Sequence, residues 1–390
     1  MPTSGGGSPY ASRLAALASP DVAQQVTRAS ATLVAPEVPP ESEWVREYGR
    51  FRPASDPWAV LVMVCAALPV RLTLGFVSEG PADLVHPETG PLVVHRFPDD
   101  TGLPALPSVL AALTDLHVVR YRPGRRCTAR GTTDEGDRFV KVLRDPAPEL
   151  QHDAEALWES GQRGELGFRV AEPVGWDASA GALWQGVVPG VDASASVFGP
   201  DGAELCVRIG AALGELARST VVPAQLAPSS DQRARTDRAL RRVVERVPGL
   251  AARAAAVGAV IEQRHEQLRP RELVPAHGSA HTHQWLVADD GALGLIDFDR
   301  FALGEPELDI ATFAAELDTE RTLALPVEVL ERALCDGYES VAGRLDPDRI
   351  ALYRTEKRIA KVARTAWAIR ADFAERAERH LRTVEADLAS

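Results

Sequence analysis

His277-Gly-Ser-Ala-His-Thr-His-Gln284 leads into Trp285-Leu-Val-Ala288, then Asp289-Asp-Gly291, then Leu293-Gly-Leu-Ile-Asp-Phe-Asp-Arg300 and Gly304-Glu-Pro-Glu-Leu-Asp309. Apolar runs on both sides of Asp289-Asp-Gly291 predict a β-hairpin. Everything around it reads as helix: Ala/Leu/Arg/Glu-rich segments cover roughly 203–219, 231–268, 307–318, 326–342 and 347–388. A hairpin embedded among helices must complete its own backbone pairing, so its presence calls for a reason. The polar groups at its two ends supply one. Three histidines, Ser279 and Gln284 precede it, and Asp297 stands at its far strand end behind two apolar residues that anchor it.

Upstream the pattern changes. Arg71–Val77, Pro91–Phe97, Leu116–Tyr121 and Arg138–Leu143 read as strands, with turn chemistry at Asp134-Glu-Gly136. A helix follows, with Asp145 as its expected cap and Pro146 as its first residue; Leu150, Ala154, Leu157 and Trp158 share one face. Segments 169–173 and 181–188 read as further strands. Before the first strand, Trp58–Val70 is an apolar stretch about thirteen residues long, short of the roughly twenty needed to span a membrane. It reads as buried core containing a short helical run. Residues 1–40, rich in Gly, Ser, Ala and Pro, read as a mobile tail. The resulting division is tail 1–40, a mostly antiparallel domain 41–188 in which the early strands extend the sheet, and a helical domain 189–390.

A formal charge of -12 argues against a nucleic-acid partner. Met1–Pro9 lacks the basic and apolar regions of a secretory signal, and no segment is long enough to cross a membrane, so a cytoplasmic location is expected. Cys65, Cys127, Cys206 and Cys335 are too widely spaced for a zinc site and read as reduced structural thiols.

Segment 277–309 resembles the catalytic and metal loops of the aminoglycoside phosphotransferase family, which shows His-Gly-Asp, four residues, Asn, a hairpin, Ile-Asp-Phe or Ile-Asp-Trp, and then Gly-Asp-Pro-x-x-Asp. The resemblance covers about residues 60 to 370. It implies an α+β, protein-kinase-like, two-lobed fold: a small antiparallel-sheet N-lobe with one helix and a larger, mainly helical C-lobe. ATP or GTP with Mg²⁺ would then be the cofactors. Lys141 matches the lysine that contacts nucleotide phosphates, and Glu155, on the next helix, its ion-pair partner. Leu183–Gly190 is similar to the interdomain hinge, with Gln185 and Val187 as adenine contacts, and Gly124–Gly131 takes the phosphate-covering position. Asp297 and Gln284 would hold the metal, Gln284 standing where the family has Asn. His277, Ser279, His281 and His283 make up the catalytic loop.

Ser279 is the main departure, because the family's aspartate accepts the substrate proton and a serine hydroxyl cannot at neutral pH. An imidazole has suitable basicity, which makes His281 or His283 the replacement, His283 being the less expected residue on this loop. Several readings follow. The first is an ATP-dependent phosphotransferase acting on a hydroxyl of a small molecule or peptide. A pseudokinase that binds nucleotide or ligand and serves a protein partner is the second. The third is a kinase-like enzyme of a peptide natural-product pathway. A hydrolase metal cluster of His277, His281, His283 and Asp297 would leave Lys141 and Glu155 unexplained. Asp309 reads as a structural carboxylate bonding the catalytic loop. The run Arg354, Lys357, Arg358, Lys361 and Arg364 reads as a solvated helix face, with a basic lining for an acidic substrate as the minority reading.

Overall fold

Residues 10–52, 55–318 and 322–389 are described in the computed structural model. Two helices come first, α1 (Ala11–Ala18) and α2 (Pro20–Val34). This corrects the expected mobile tail over its described part; residues 1–9 lie outside the described residues. Leu14, Leu17, Val22, Ala23 and Val26 recur at helical spacing and are buried, a pattern that the average composition of the segment conceals. They cover one face of a sheet made of β1 (Trp44–Phe51), β2 (Ala59–Cys65), β3 (Arg71–Phe76), β4 (Leu84–His86) and β5 (Gly90–Arg96), in the order β1-β2-β3-β5-β4. All its neighbouring strands run antiparallel. The short helical run expected near Trp58–Val70 is instead strand β2. Leu61 and Met63 point to the helices, while Val62 packs into the core of the next domain. A strand buried on both faces is apolar throughout and loses the alternation by which strands are recognised.

Helix α3 (Leu106–Ala111) then leads to a second sheet of β6 (Thr114–Arg122), β7 (Arg126–Thr133), β8 (Gly136–Leu143), β10 (Pro173–Asp177) and β11 (Ala182–Gly186), ordered β10-β11-β8-β7-β6. The expected sheet extension is therefore corrected: the early strands form a sheet of their own and reach the second one through side chains. Between β8 and β10 lie α4 (Glu149–Gln162) and the short β9 (Phe168–Arg169). Helix α4 starts at Glu149 rather than at Pro146, with Pro148 at its N-cap; Asp145 pairs with Arg144 and does not cap it.

At Gly190 the backbone turns with φ +130, where an added Cβ would lie 2.8 Å from the Val287 backbone. There the chain crosses into the helical region: β12 (Val191–Asp192), α5 (Ser194–Phe198), α6 (Gly202–Arg218), β13 (Leu226–Ala227), α7 (Ser229–Arg246) and α8 (Ala251–Gln267). The loops follow on β14 (Val274–Ala276), the hairpin β15 (Trp285–Val287) and β16 (Leu293–Leu295), and β17 (Ala302–Gly304). Helices α9 (Glu307–Leu317), α10 (Val327–Ala342), α11 (Pro347–Ala366) and α12 (Phe373–Ala389) complete the lobe. The hairpin's pairing is closed by β12 on one side and β9 on the other, giving the order β12-β15-β16-β9. One apolar core runs from Trp285 and Phe301 through the helices to Val384. No described helix is long and apolar enough to cross a membrane.

Candidate active site

Lys141 sits mid-strand on β8, opposite Leu183 of β11 and Thr128 of β7, with its side chain nearly buried. Its ammonium crosses the cleft between the lobes. Nζ donates to Asp297 Oδ1 at 2.9 Å and also to Asp299. Asp299 accepts in turn from Arg126 Nη1 at 2.6 Å, at the start of β7. Two cations thus meet two carboxylates, and the cluster is neutral. Asp297 has φ 65, a left-handed conformation that a side chain adopts only when its surroundings hold it there. Burial would raise the Asp297 carboxyl, but the Lys141 ammonium in contact with it, helped by Arg126, holds it well below the usual carboxylate range.

Glu155 is not the partner of Lys141. It is exposed on α4 and accepts from Gln151 Nε2 at 2.7 Å, one turn back on the same helix. The inward side of α4 is held by Ala154 and Asp153; the latter accepts from the Ala224 backbone at 3.1 Å. Sequence reasoning missed Asp299 and Arg126. Their signals were the second acid of Ile-Asp-Phe-Asp and the arginine closing Arg120-Tyr-Arg-Pro-Gly-Arg-Arg126.

The catalytic loop is built from behind by Asp309, which accepts from the His277 backbone at 2.7 Å and from that of Ala280 at 3.4 Å. His277 has no exposed surface; its Nε2–H donates to the Ile296 carbonyl at 3.0 Å, and its ring lies 4.5 Å from that of Phe298. Burial pushes its pKa down, so the ring is a neutral strut joining the two loops. That corrects the expectation that it belongs with the reacting groups, since no substrate atom can touch an enclosed ring. Gly278, at φ +76, lets the loop pass Arg300: an added Cβ would come within 2.3 Å of its carbonyl oxygen.

Ser279 Oγ lies 3.5 Å from Gln284 Nε2, and the same nitrogen lies 3.4 Å from Asp297 Oδ2. Gln284 Oε1 is buried and has no partner among the described residues. Amide oxygen and nitrogen are interchangeable assignments, so this side chain can present its oxygen beside Asp297. Carboxylate and amide oxygens together suit Mg²⁺, which takes few protein ligands and completes its shell with water and phosphates. His283 turns away from the cleft: it is exposed, and Nδ1 is 3.0 Å from Asp192 Oδ2 on β12. His281 is half-buried, its Nδ1 without a partner among the described residues, and burial lowers its pKa against the opposing pull of Glu316. The His281 and His283 rings lie 6.1 Å apart, edge to face, while His277 is enclosed, and no group of three or more His, Cys, Asp or Glu that could hold a metal forms among the described residues. Gln185 is the last but one residue of the β8 pairing, opposite Phe139, and Val187 lies just beyond it, outside the ladder.

The phosphotransferase enzyme family profile matches residues 125–344, more than half of the chain, from the turn before β7 to the end of α10. This chain belongs to that family. Phosphotransferases of this kind act on alcohol acceptors, and membership places the chain among them. No curated protein matches the sequence. Solved structures that resemble it include choline kinase LicA from Streptococcus pneumoniae (14% identity, TM-score 0.53, 72% of this chain and 95% of that one); amicoumacin kinase hAmiN in complex with AMP-PNP, Ca²⁺ and Ami (12%, 0.52, 72% and 92%); and APH(2")-IIia with GDP and kanamycin (13%, 0.51, 72% and 97%). At such identities the likeness is one of fold, the two-lobed protein-kinase-like α+β architecture. The phosphotransferase profile begins after the first sheet, which stands outside the matched region.

Proposed function

We propose that this chain transfers the γ-phosphoryl group of ATP or GTP to a hydroxyl of a small molecule or peptide. One observation carries the reading: the Lys141–Asp297 bridge of 2.9 Å, which brings a β-strand lysine and a loop carboxylate from opposite lobes to one point in the cleft. Lys141 and Arg126 are the cations that would meet the phosphates, with Gln185 and Val187 at the adenine end. Asp297 and Gln284 would hold Mg²⁺, whose charge offsets that of the phosphates. In the transfer, the acceptor oxygen bonds to the γ-phosphorus while the bond to the bridging oxygen breaks and the nucleoside diphosphate leaves. With serine at 279, the acceptor proton goes to His281 or to the phosphoryl oxygens. His283 is committed to Asp192, and His281 is the imidazole that remains on the loop.

A second reading, a nucleotide-binding pseudokinase, is favoured by the same cluster, since Lys141 is already neutralised by Asp297 and Asp299 and Glu155 does not hold it in place. Thermal melting with Mg–ATP and Mg–GTP, beside the Asp297→Ala variant, tests the site. A ligand that binds only the folded state stabilises it by about 2.7 kcal/mol at a hundredfold excess over Kd. The expected result is a metal-dependent rise lost in Asp297→Ala. No rise with either nucleotide would sink both readings, and binding without release of labelled phosphate would select the pseudokinase.

A further inference from the structure

Lys141 makes two ion pairs among the described residues, and both reach carboxylates of the C-lobe, Asp297 and Asp299. Neither partner comes from α4, although kinase-like transfer requires a helix glutamate to hold this lysine in place. The acids on that helix are engaged elsewhere: Asp153 accepts from the Ala224 backbone at 3.1 Å, and Glu155 from Gln151 Nε2 at 2.7 Å. The two carboxylates on Lys141 are not equivalent. Asp297 Oδ2 lies 3.4 Å from Gln284 Nε2, and the Asp297 side chain is 39% exposed, open to a metal arriving in the cleft. Asp299 is more enclosed, at 22%, and its two oxygens are divided between two N-lobe cations, Oδ1 on Lys141 and Oδ2 on Arg126 at 2.6 Å. Its backbone is held as well. The Phe301 N–H donates to the Phe298 carbonyl at 3.0 Å, closing a turn with Asp299 inside it. Both ends of the turn are anchored: Phe301 has no exposed surface, and the Phe298 ring lies 5.6 Å from that of Phe301 and 4.5 Å from that of His277.

A metal on Asp297 would take from Lys141 one of its two counter-charges. A lysine so nearly enclosed is costly to leave unpaired. Asp299 can keep it, since Mg²⁺ takes few protein ligands and Asp297 with Gln284 already offers two. We propose that Asp299 is the positioning residue for Lys141, supplying from the C-lobe the ion pair that α4 does not, with Arg126 fixing its second oxygen. This rests on the phosphotransferase reading and adds to it the residue that releases Asp297 for the metal.

The test is titration calorimetry of the full chain with Mg²⁺ and a non-hydrolysable ATP analogue, comparing the parent with Asp299→Asn and Glu155→Gln. With Asp299 neutralised, Lys141 keeps only the carboxylate that the metal needs. Affinity for the metal–analogue complex should therefore fall about tenfold or more, as when an enclosed charge pair loses one partner. Glu155→Gln should bind as the parent does. In chains already carrying Lys141→Met, Asp299→Asn should cost nothing further, because the carboxylate acts through the lysine; a merely structural role would cost the same in either background. Three outcomes overturn the proposal: Asp299→Asn binds as tightly as the parent or more tightly, Glu155→Gln suffers the same loss, or the loss persists in full without the lysine. A parent that ignores the complex sinks the phosphotransferase reading and this inference together. A parent that binds it beside an unaltered Asp299→Asn refutes the role of Asp299 alone.

Discussion

Ser279 places a hydroxyl where the resemblance calls for a carboxylate, and that hydroxyl accepts from the Gln284 amide at 3.5 Å. A missing general base costs on the order of 10²–10⁴ in rate. Ser279→Asp should therefore speed release of labelled phosphate from Mg–ATP to water by that order in single-turnover assays. An unchanged rate would show that proton removal does not limit the reaction. Lys357 offers a second test at this scale, because burial, followed by the Arg300 guanidinium, pushes its ammonium down to about 8 from 10.5. Arg235 acts in the same direction, while Asp309 and Glu356 oppose it. The folded chain gives up this proton at a lower pH than the unfolded one, so between those values the unfolded state binds more protons and stability rises with pH. Lys357→Met lacks the term. It should melt above the parent at pH 7, and the gap in Tm should narrow as pH climbs from 8 toward 10.5; a constant gap would mean that the ammonium is well solvated.

Among the elements, α1 and α2 bear most directly on what the sequence discloses. Leu17 has no exposed surface, and Leu17→Ala should lower stability by about 2–5 kcal/mol in denaturant titration. A mobile segment would show no change. The hairpin at 285–295, the strands at 71–76 and 136–143, and the long helices from 202 onward were legible, because turn residues bound the strands and the helices keep their period in the sequence. Strand β2 was not, since both its faces are covered. The constellation was legible in part. Lys141 and Asp297 do converge, but Glu155 does not join them. Spacing along α4 tells which residues share a face but not how the helix is rotated against the sheet, and the structure turns Ala154 inward and Glu155 out. Asp299 escaped notice for a related reason: two acids separated by one residue look like surface charge until Lys141 and Arg126 are seen between the lobes.

At the scale of the whole molecule, the first sheet touches both lobes. Asp100, just past β5, accepts from Tyr121 Oη and from the Gly124 backbone, each at 2.8 Å, which braces the β6–β7 turn over the cleft. Its other face meets the far end of the chain. Phe51 lies 5.5 Å from Trp367 between ring centroids, Ile369 enters the core of the first sheet, and Arg46 donates to the Leu17 carbonyl at 2.8 Å and to the Ile369 carbonyl at 2.9 Å. Arg46 and Ile369 are 323 residues apart. A ribosome adding about 5–20 residues per second makes Ile369 tens of seconds after Arg46. Throughout that interval the sheet is synthesised but its seam is open, with Phe51 facing water. A sheet made early is thus sealed late, and a ribosome stalled within α11 would hold a nearly finished cleft on a molecule that cannot yet close.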